Sequence, residues 1–234
     1  MGQRGGPNIP LDSIQLAFDP KNPKVTTSNF VSLINNFVGS AVGATLAGTG
    51  ITFGLILSAL SDKLNFTNLS NLNISGSLSI SAWIYPRSFG GGNSARIYDK
   101  FQYSPPFGTP AGTSFFIDNN VGINAISYSA GIVFGTGVAR INNQVNLNTW
   151  QHFAISHLGS AQTVTFYKNG ASIGSSANML SPVAATGSSA CIGNNFAGQF
   201  NFDGTLGTIR VYNRALSASE IAQIYNSTKS RYGL

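Results

Sequence analysis

Hydrophobic and polar residues alternate with a period of two along much of this chain. The clearest run is Leu78 to Tyr85, LSISAWIY, in which every second side chain from Leu78 onward is aliphatic. Pro86 ends this run. Such alternation is typical of a β-strand. Similar short runs, bounded by Gly, Pro, Asn or Ser, predict further strands at Arg96–Phe101, Thr113–Asp118, Ala125–Tyr128, Gly131–Phe134, Gln151–His157 and Thr163–Lys168.

Two local signals predict how some of these elements are joined and ended. Asn169-Gly170 separates the run TVTFY from the run ASIGS, and Asn-Gly is the dipeptide that best tolerates the two positive φ angles of a type I′ hairpin turn. Near the end of the chain, Ser217 and Glu220 form a capping-box pattern. A helix is therefore predicted over Ala218–Asn226, with an apolar stripe at Ile221, Ile224 and Tyr225.

Many short strands at this spacing predict an all-β sandwich or barrel. The chain of 234 residues, 42% of them hydrophobic, is long enough for one large domain of this kind. We expect residues 1–12 to form a flexible or partner-bound arm and residues 13–234 to form the domain. The apolar run at 51–60 is too short to cross a bilayer, so it predicts buried strands and no membrane insertion.

Charge narrows the classes of partner. Only 9% of the residues are charged, and the net charge of +6 comes from Lys and Arg scattered along the chain. A nucleic-acid groove is therefore not predicted. The single Cys191 excludes an intramolecular disulfide, and the first residues lack the apolar stretch of a secretory signal. We expect synthesis and folding in a cytoplasm.

Three segments resemble the laminin-G-like, or concanavalin-A-like, jelly rolls in their pentraxin-related branch. They are SISAWIYP at 79–86, NTWQHFAISHLGSAQTVTFYKNG at 148–170 and FDGTLGTIRVYNRALSASEIAQIYN at 202–226. The resemblance implies a two-sheet antiparallel jelly-roll sandwich with one short C-terminal helix. It also places Trp83, Trp150 and Tyr212 at core or sheet-packing positions, with a ligand platform as the alternative. The opening IQLAFDPKNPK and the ending TKSRYGL are similar to the form found in tailed-phage structural proteins.

The same superfamily includes glycoside hydrolases, which usually need two carboxylates about 5 to 9.5 Å apart. The chain has seven acids, no two at i and i+2 on a strand, and lacks the ExDxxE hydrolase signature. His152 and His157 are an odd number of residues apart and so face opposite sides of a strand. Cys191 stands beside a predicted strand and is expected to be a small buried side chain. We therefore predict no enzymatic activity.

Calcium is the cofactor that the resemblance raises, because many such domains bind it at one rim. Gly207 and Thr208 replace the acids usual in the last motif, which leaves Asp118, Asn119 and Asp203 as the candidate ligands. The alternative is that Asp203 only orders an Asp-Gly turn. We predict no tight calcium site and no other cofactor.

Tyr98, Tyr103 and Phe107 lie in a Gly- and Pro-rich loop region, 88–112, and are candidates for contact with a glycan or a protein. Packing on their own domain is the alternative. Together these features predict a non-enzymatic virion structural protein, a capsid decoration or a head or tail fibre component that presents a lectin-like domain on the virion surface. Its partners would be capsid or other virion proteins, further copies of itself and a cell-surface glycan. A free carbohydrate-binding adhesion domain is the alternative.

Overall fold

The computed structural model describes residues 9–27, 29–34, 36–67, 69–102, 110–132 and 135–234. Within this part of the chain the strands and the one α-helix, in chain order, are β1 (Ile14–Phe18), β2 (Phe30–Val31), β3 (Val38–Val42), β4 (Thr45–Ala47), β5 (Gly54–Leu57), β6 (Lys63–Phe66), β7 (Leu78–Pro86), β8 (Arg96–Gln102), β9 (Ala111–Asp118), β10 (Ala125–Ile132), β11 (Gly135–Ile141), β12 (Gln151–Leu158), β13 (Thr163–Lys168), β14 (Ala171–Ser176), β15 (Ala190–Ile192), β16 (Gly204–Tyr212) and α1 (Ala218–Thr228).

Within the described residues these strands form two antiparallel sheets of eight strands each. The first sheet has the order β14-β13-β12-β7-β16-β5-β4, and β1 pairs with the part of β16 that extends beyond β5. The second sheet has the order β11-β10-β9-β8-β15-β6-β3-β2. Side chains from both inner faces, such as Phe153 and Phe166 of the first sheet and Phe115 and Tyr128 of the second, share one core. The predicted two-sheet jelly-roll sandwich is confirmed.

The outer face of the first sheet is covered as well. Ile221 and Ile224 of helix α1 pack against Tyr212 of β16, and all three side chains are buried. Next to them, Trp83, Trp150 and Tyr232 form an aromatic cluster. Both sides of β7 are therefore buried, because the C-terminal segment folds back over the face that the alternation alone would leave exposed to solvent.

Both local signals are confirmed. Asn169 and Gly170 have φ angles of 49° and 82° in the turn between β13 and β14, as a type I′ hairpin requires. At the start of α1, the Ser217 hydroxyl accepts a hydrogen bond from the Glu220 N–H, and the Glu220 carboxylate accepts one from the Ser217 N–H. The helix ends two residues later than predicted, at Thr228.

Removing this cap gives a first testable prediction. Ser217→Ala is expected to lower the free energy of unfolding by about 1 kcal/mol, because one N–H of the first helical turn loses its acceptor. Urea denaturation measures the loss. Ser160→Ala, at an exposed serine between β12 and β13, is the matched control and should leave the unfolding midpoint unchanged. Equal midpoints for both variants would contradict the prediction.

Two sequence-based predictions are corrected. The strand predicted at 131–134 is wrong at its start, because Gly131 and Ile132 continue β10 in register with β11; residues 133–134 lie outside the described residues. The apolar run at 51–60 forms only one short strand, β5, whose Leu55 and Leu57 are buried, whereas Ile51 and Leu60 are exposed. No helix in the described part of the chain is both long and apolar enough to span a membrane.

Residues 1–8 of the predicted arm lie outside the described residues. Its last residues contact the sandwich. The Tyr212 hydroxyl donates a hydrogen bond to the carbonyl of Pro10, and the Asp12 carboxylate lies 2.7 Å from Nε of Arg214. The chain is therefore already held against the outer face of the first sheet before β1 begins.

Candidate functional site

An open cleft of about 570 Å³ lies on the outer face of the second sheet. Its floor is formed by Arg96, Asp99 and Phe101 of β8, and one wall by the loop that contains Phe196 and Phe200. The opposite wall is the segment 187–189 that leads into β15. The cleft therefore combines aromatic rings with an ion pair.

A β-bulge in β8 brings the charged floor together. Arg96 and Asp99 are three residues apart, a spacing that places side chains on opposite faces of a regular strand. The register with β9 shifts between Arg96 and Tyr98, and both Ile97 and Tyr98 point into the core. The extra residue returns Asp99 to the same face as Arg96, where its Oδ2 lies 3.4 Å from Nε of Arg96.

The guanidinium group of Arg96 is held between two aromatic rings. Its centre lies 4.2 Å from the ring of Phe116 and 4.5 Å from the ring of Phe200. Nη1 also donates hydrogen bonds to the carbonyl and the hydroxyl of Ser94. Because Arg96 is fixed from both sides, it in turn fixes the position of Phe200 in the wall of the cleft.

Asp99 is almost completely buried beneath this arginine. Burial raises its pKa to about 6, although Arg96 acts in the opposite direction. Its neighbour across the sheet is Cys191 of β15, and burial raises the pKa of that thiol to about 12. Cys191 is therefore a protonated, buried side chain at neutral pH, and the prediction that it is a small buried residue is confirmed.

The aromatic wall stands on an ordered loop. The buried Asn194 accepts hydrogen bonds from the N–H groups of Asn195 and Phe200 and donates to the carbonyls of Leu60 and Asp62. The side chain of Lys63 donates to the carbonyl of Phe196. At the tip of this loop the Phe196 side chain remains 61% exposed. The loop thus presents a large apolar ring to solvent without needing to reorganise.

Residues 58–222 match a family model described as the concanavalin A-like lectin/glucanases superfamily, Laminin_G_3. The chain belongs to this superfamily. Among solved structures, it is similar to the binding domain of Paraclostridial Mosquitocidal Protein 1, with a TM-score of 0.67, 17% identity, and coverage of 92% of this chain and 52% of the other. This chain thus spans about half of that binding domain. No curated protein sequence matches the chain.

Two further structures are similar over nearly their whole length. Domain 4 of AbnA, an arabinanase from Geobacillus stearothermophilus solved with arabinotriose, has a TM-score of 0.64 and 15% identity, covering 91% of this chain and 98% of that domain. The Ruminococcus gnavus IT-sialidase CBM40, solved with α2,3-sialyllactose, has a TM-score of 0.59 and 11% identity, covering 74% and 96%. At these identities the likeness shows a shared jelly-roll fold. The pentraxin-related branch and the phage form stay predictions.

The prediction that Tyr98 contacts a glycan or a protein is wrong. Tyr98 is only 1% exposed and lies in the core between the sheets, because the bulge in β8 turns it inward. Burial also raises the pKa of its hydroxyl. Tyr98 therefore cannot contact a ligand in this conformation. Tyr103 and Phe107 lie outside the described residues.

The three candidate calcium ligands have other partners. The Asp203 carboxylate accepts hydrogen bonds from Arg87 at 2.6 Å and from Ser88 at 2.7 Å, a role that neither sequence-based alternative included. Asp118 lies 3.5 Å from Arg140. The Asn119 side chain accepts from the N–H of Asn124. Within the described residues, no group of three or more His, Cys, Asp or Glu side chains is placed to hold a metal ion.

All seven acids of the chain are in the described residues, and each has a partner. Asp62 accepts hydrogen bonds from the N–H groups of Ser58 and Ala59. The other six form ion pairs with arginine. The pairs are Asp12 and Glu220 with Arg214, Asp19 with Arg231, Asp99 with Arg96, Asp118 with Arg140, and Asp203 with Arg87. Of the seven, only Asp99 lines the cleft.

The two histidines lie on opposite faces of β12, as predicted. His157 faces the core, where its ring nitrogens contact the carbonyl of Met179 and the hydroxyl of Tyr128. His152 faces outward beneath the C-terminal segment, with its ring 5.3 Å from that of Trp83. Trp83 is fully buried, so the packing role predicted for it is confirmed.

Arg96, Phe196 and Phe200 are not among the residues predicted from the sequence to contact a ligand. A signal for Phe196 is present in the sequence, since one large aromatic side chain stands in the polar segment NNFAG at 194–198. Such a segment predicts a turn, and a turn exposes its side chains. No sequence signal predicts that this turn packs against β8, because Arg96 and Phe200, which make the contact, are about 100 residues apart in the chain.

Proposed function

We propose that this chain is a non-catalytic, lectin-like module that binds a glycan in the cleft between β8 and the loop at 194–200. The observation that carries the proposal is the exposed ring of Phe196 beside the fixed pair of Arg96 and Phe200. Aromatic faces stack on the apolar faces of sugar rings, while amide and guanidinium groups hydrogen-bond their hydroxyls. Asn195 and Gln199 line the same cleft.

Preorganisation supports this proposal. A flexible loop loses conformational freedom when a ligand binds, and that loss weakens the affinity. Here Asn194 and Asn195 hold the loop through their side chains, the latter by accepting from the N–H of Gln199 at 2.8 Å. The ring of Phe196 is therefore presented before any ligand arrives.

The surroundings of the carboxylates support a binding role over hydrolysis. Glycoside hydrolysis usually needs two carboxylates on either side of the scissile bond. The cleft contains Asp99 alone, and this carboxylate is already paired with Arg96. The named ligands of similar structures, arabinotriose for AbnA domain 4 and α2,3-sialyllactose for the CBM40, also support a glycan as the ligand class.

We further propose that the module works on the surface of a virion, as a capsid decoration or a head or tail fibre component. The support is the resemblance of its first and last segments to tailed-phage structural proteins, together with a surface poor in charge. Its partners would be capsid or other virion proteins and further copies of itself. Co-sedimentation of the purified chain with empty capsids tests this setting. A chain that binds a glycan but no particle would favour the free adhesion domain.

The proposed site predicts that the ring of Phe196 contributes strongly to the affinity for the glycan. Once a glycan array has identified a ligand, Phe196→Ala is expected to weaken its affinity about tenfold, on the order of 1.4 kcal/mol, in isothermal titration calorimetry. Leu158→Ala truncates another exposed apolar side chain, on a strand of the first sheet, and should bind like the parent. Undiminished binding by Phe196→Ala would place the ligand elsewhere and refute the proposed site.

A further inference from the structure

A second, smaller cleft of about 310 Å³ adjoins the first. The segment 187–189 lines both clefts and forms the boundary between them. The other lining residues of the second cleft include Ser70, Asn73 and Lys100. Lys100 follows Asp99 directly in β8, so the two clefts lie on either side of the same strand end.

Lys100 is an unusual lining residue because its side chain is almost entirely buried, with 2% exposed. Its Nζ donates hydrogen bonds to the carbonyls of Ala185, at 2.9 Å, and of Ser188, at 2.7 Å. An ammonium group has three N–H donors, so these two bonds leave one for a ligand. Burial lowers the pKa of this group, which means that its charge is stabilised less well than in water.

No carboxylate side chain compensates the charge of Lys100. All seven acids of the chain lie in the described residues, and each one is paired with an arginine or with backbone N–H groups. The residues outside the described part contain neither Asp nor Glu. Buried charges in proteins are normally paired with an opposite charge. The ammonium group at this cleft therefore lacks the anion that such a site usually has.

Two more polar atoms of the second cleft are unsatisfied. Oδ1 of Asn73 and Oγ of Ser188 are buried and have no hydrogen-bond partner among the described residues. Buried polar atoms usually have a partner, and leaving them without one costs free energy. Together with Nζ of Lys100 they offer a cation, a hydroxyl donor and an amide acceptor within one cavity.

We infer that the second cleft receives an anionic group of the glycan, a carboxylate or a sulfate, while a neutral sugar of the same glycan occupies the first cleft. This inference rests on the proposed function, because it extends the same ligand across the segment 187–189. An oxyanion accepts from the ammonium group of Lys100 and from the hydroxyl of Ser188. A neighbouring sugar hydroxyl donates to Oδ1 of Asn73.

The experiment compares three probes that differ only in one substituent: lactose, 3′-sialyllactose and 3′-sulfolactose. Calorimetry on the whole chain is expected to show about tenfold tighter binding of at least one acidic probe than of lactose. The carboxylate and sulfate arms distinguish the two sources of the anion. Raising the NaCl concentration should reduce this preference, since salt screens a charged contact.

Substitutions test whether Lys100 causes the preference for acidic probes over lactose. Lys100→Met keeps most of the length of the side chain and removes the charge, so it should abolish the preference while lactose binding remains. Lys24→Met, at an exposed lysine, is the matched control and should keep the preference. If Lys100→Met also weakens lactose binding because the segment at 185–188 shifts, Ser188→Ala decides, because it removes the hydroxyl that donates to the oxyanion and should weaken only the acidic probes.

The outcomes separate the two proposals. Equal affinity for lactose and for both acidic probes would overturn the anionic subsite and leave the glycan-binding proposal standing. A preference that persists in both Lys100→Met and Ser188→Ala would also overturn the subsite. A chain that binds none of the three probes and no glycan on an array would refute the proposed function, and the inference with it.

Discussion

Replacing Trp83 with alanine is expected to lower the free energy of unfolding by about 3–5 kcal/mol. Trp83 is fully buried on the outer face of the first sheet, where its ring stacks on Tyr232 with centroids 4.3 Å apart. Its Nε1 donates a hydrogen bond to the Thr228 hydroxyl at the end of α1. The substitution therefore opens a cavity beneath the C-terminal segment. It also removes the hydrogen bond that the Thr228 hydroxyl accepts, although this hydroxyl still donates to the carbonyl of Ile224.

Urea denaturation followed by circular dichroism measures this loss. Phe196→Ala is the control, because it removes another large aromatic ring, one exposed on a loop, and should leave stability unchanged. Trp83→Phe keeps part of the stacking and loses the hydrogen bond, so its effect should be intermediate. If Trp83→Ala unfolds at the same urea concentration as the parent, the C-terminal segment does not depend on this contact.

A second large effect is expected in acid. Burial lowers the pKa of His152 to about 3, and the nearby Arg210 acts in the same direction. The unfolded chain, in which this histidine has its ordinary pKa near 6.5, therefore binds more protons than the folded chain between pH 6.5 and pH 3. The stability that His152 contributes in its neutral form is present above pH 6.5 and is lost as the pH falls toward 3.

His152→Phe removes this source of acid sensitivity. At pH 4 the variant is expected to exceed the parent in stability by about 3 kcal/mol relative to the difference between them at pH 7. Both ring nitrogens of His152 lack a hydrogen-bond partner among the described residues, so the substitution breaks no such bond. Urea titrations of both proteins at pH 7 and pH 4 test the prediction. Parallel losses of stability in parent and variant would contradict it.

Local chemistry explains which parts of the fold could be predicted from the sequence. The alternation in β7, the Asn-Gly turn and the capping box at Ser217 each depend on residues close together in the chain, and the structure has all three. The order of strands within each sheet depends on pairings between distant segments, such as β8 with β15. Periodicity contains no information about such pairings, and it was the family resemblance that implied the jelly roll.

The candidate site was less predictable for the same reason. One additional residue in β8 reverses the facing of everything that follows it, so that Tyr98 lies in the core and Asp99 on the outer face. Regular alternation cannot reveal a bulge. Nor could the sequence show that Phe200 packs against Arg96, since the loop that contains Phe200 is distant in the chain.

The pairing of Tyr212 with Pro10 and of Arg231 with Asp19 brings the first described residues and the last ones to the outer face of the first sheet. The first cleft, with Arg96 and Asp99, opens on the outer face of the second sheet, across the full thickness of the sandwich. A partner protein attached to the domain through either of these segments would lie on the side of the sandwich opposite the ligand. Many copies attached in this way would all expose their first clefts to the surrounding solvent.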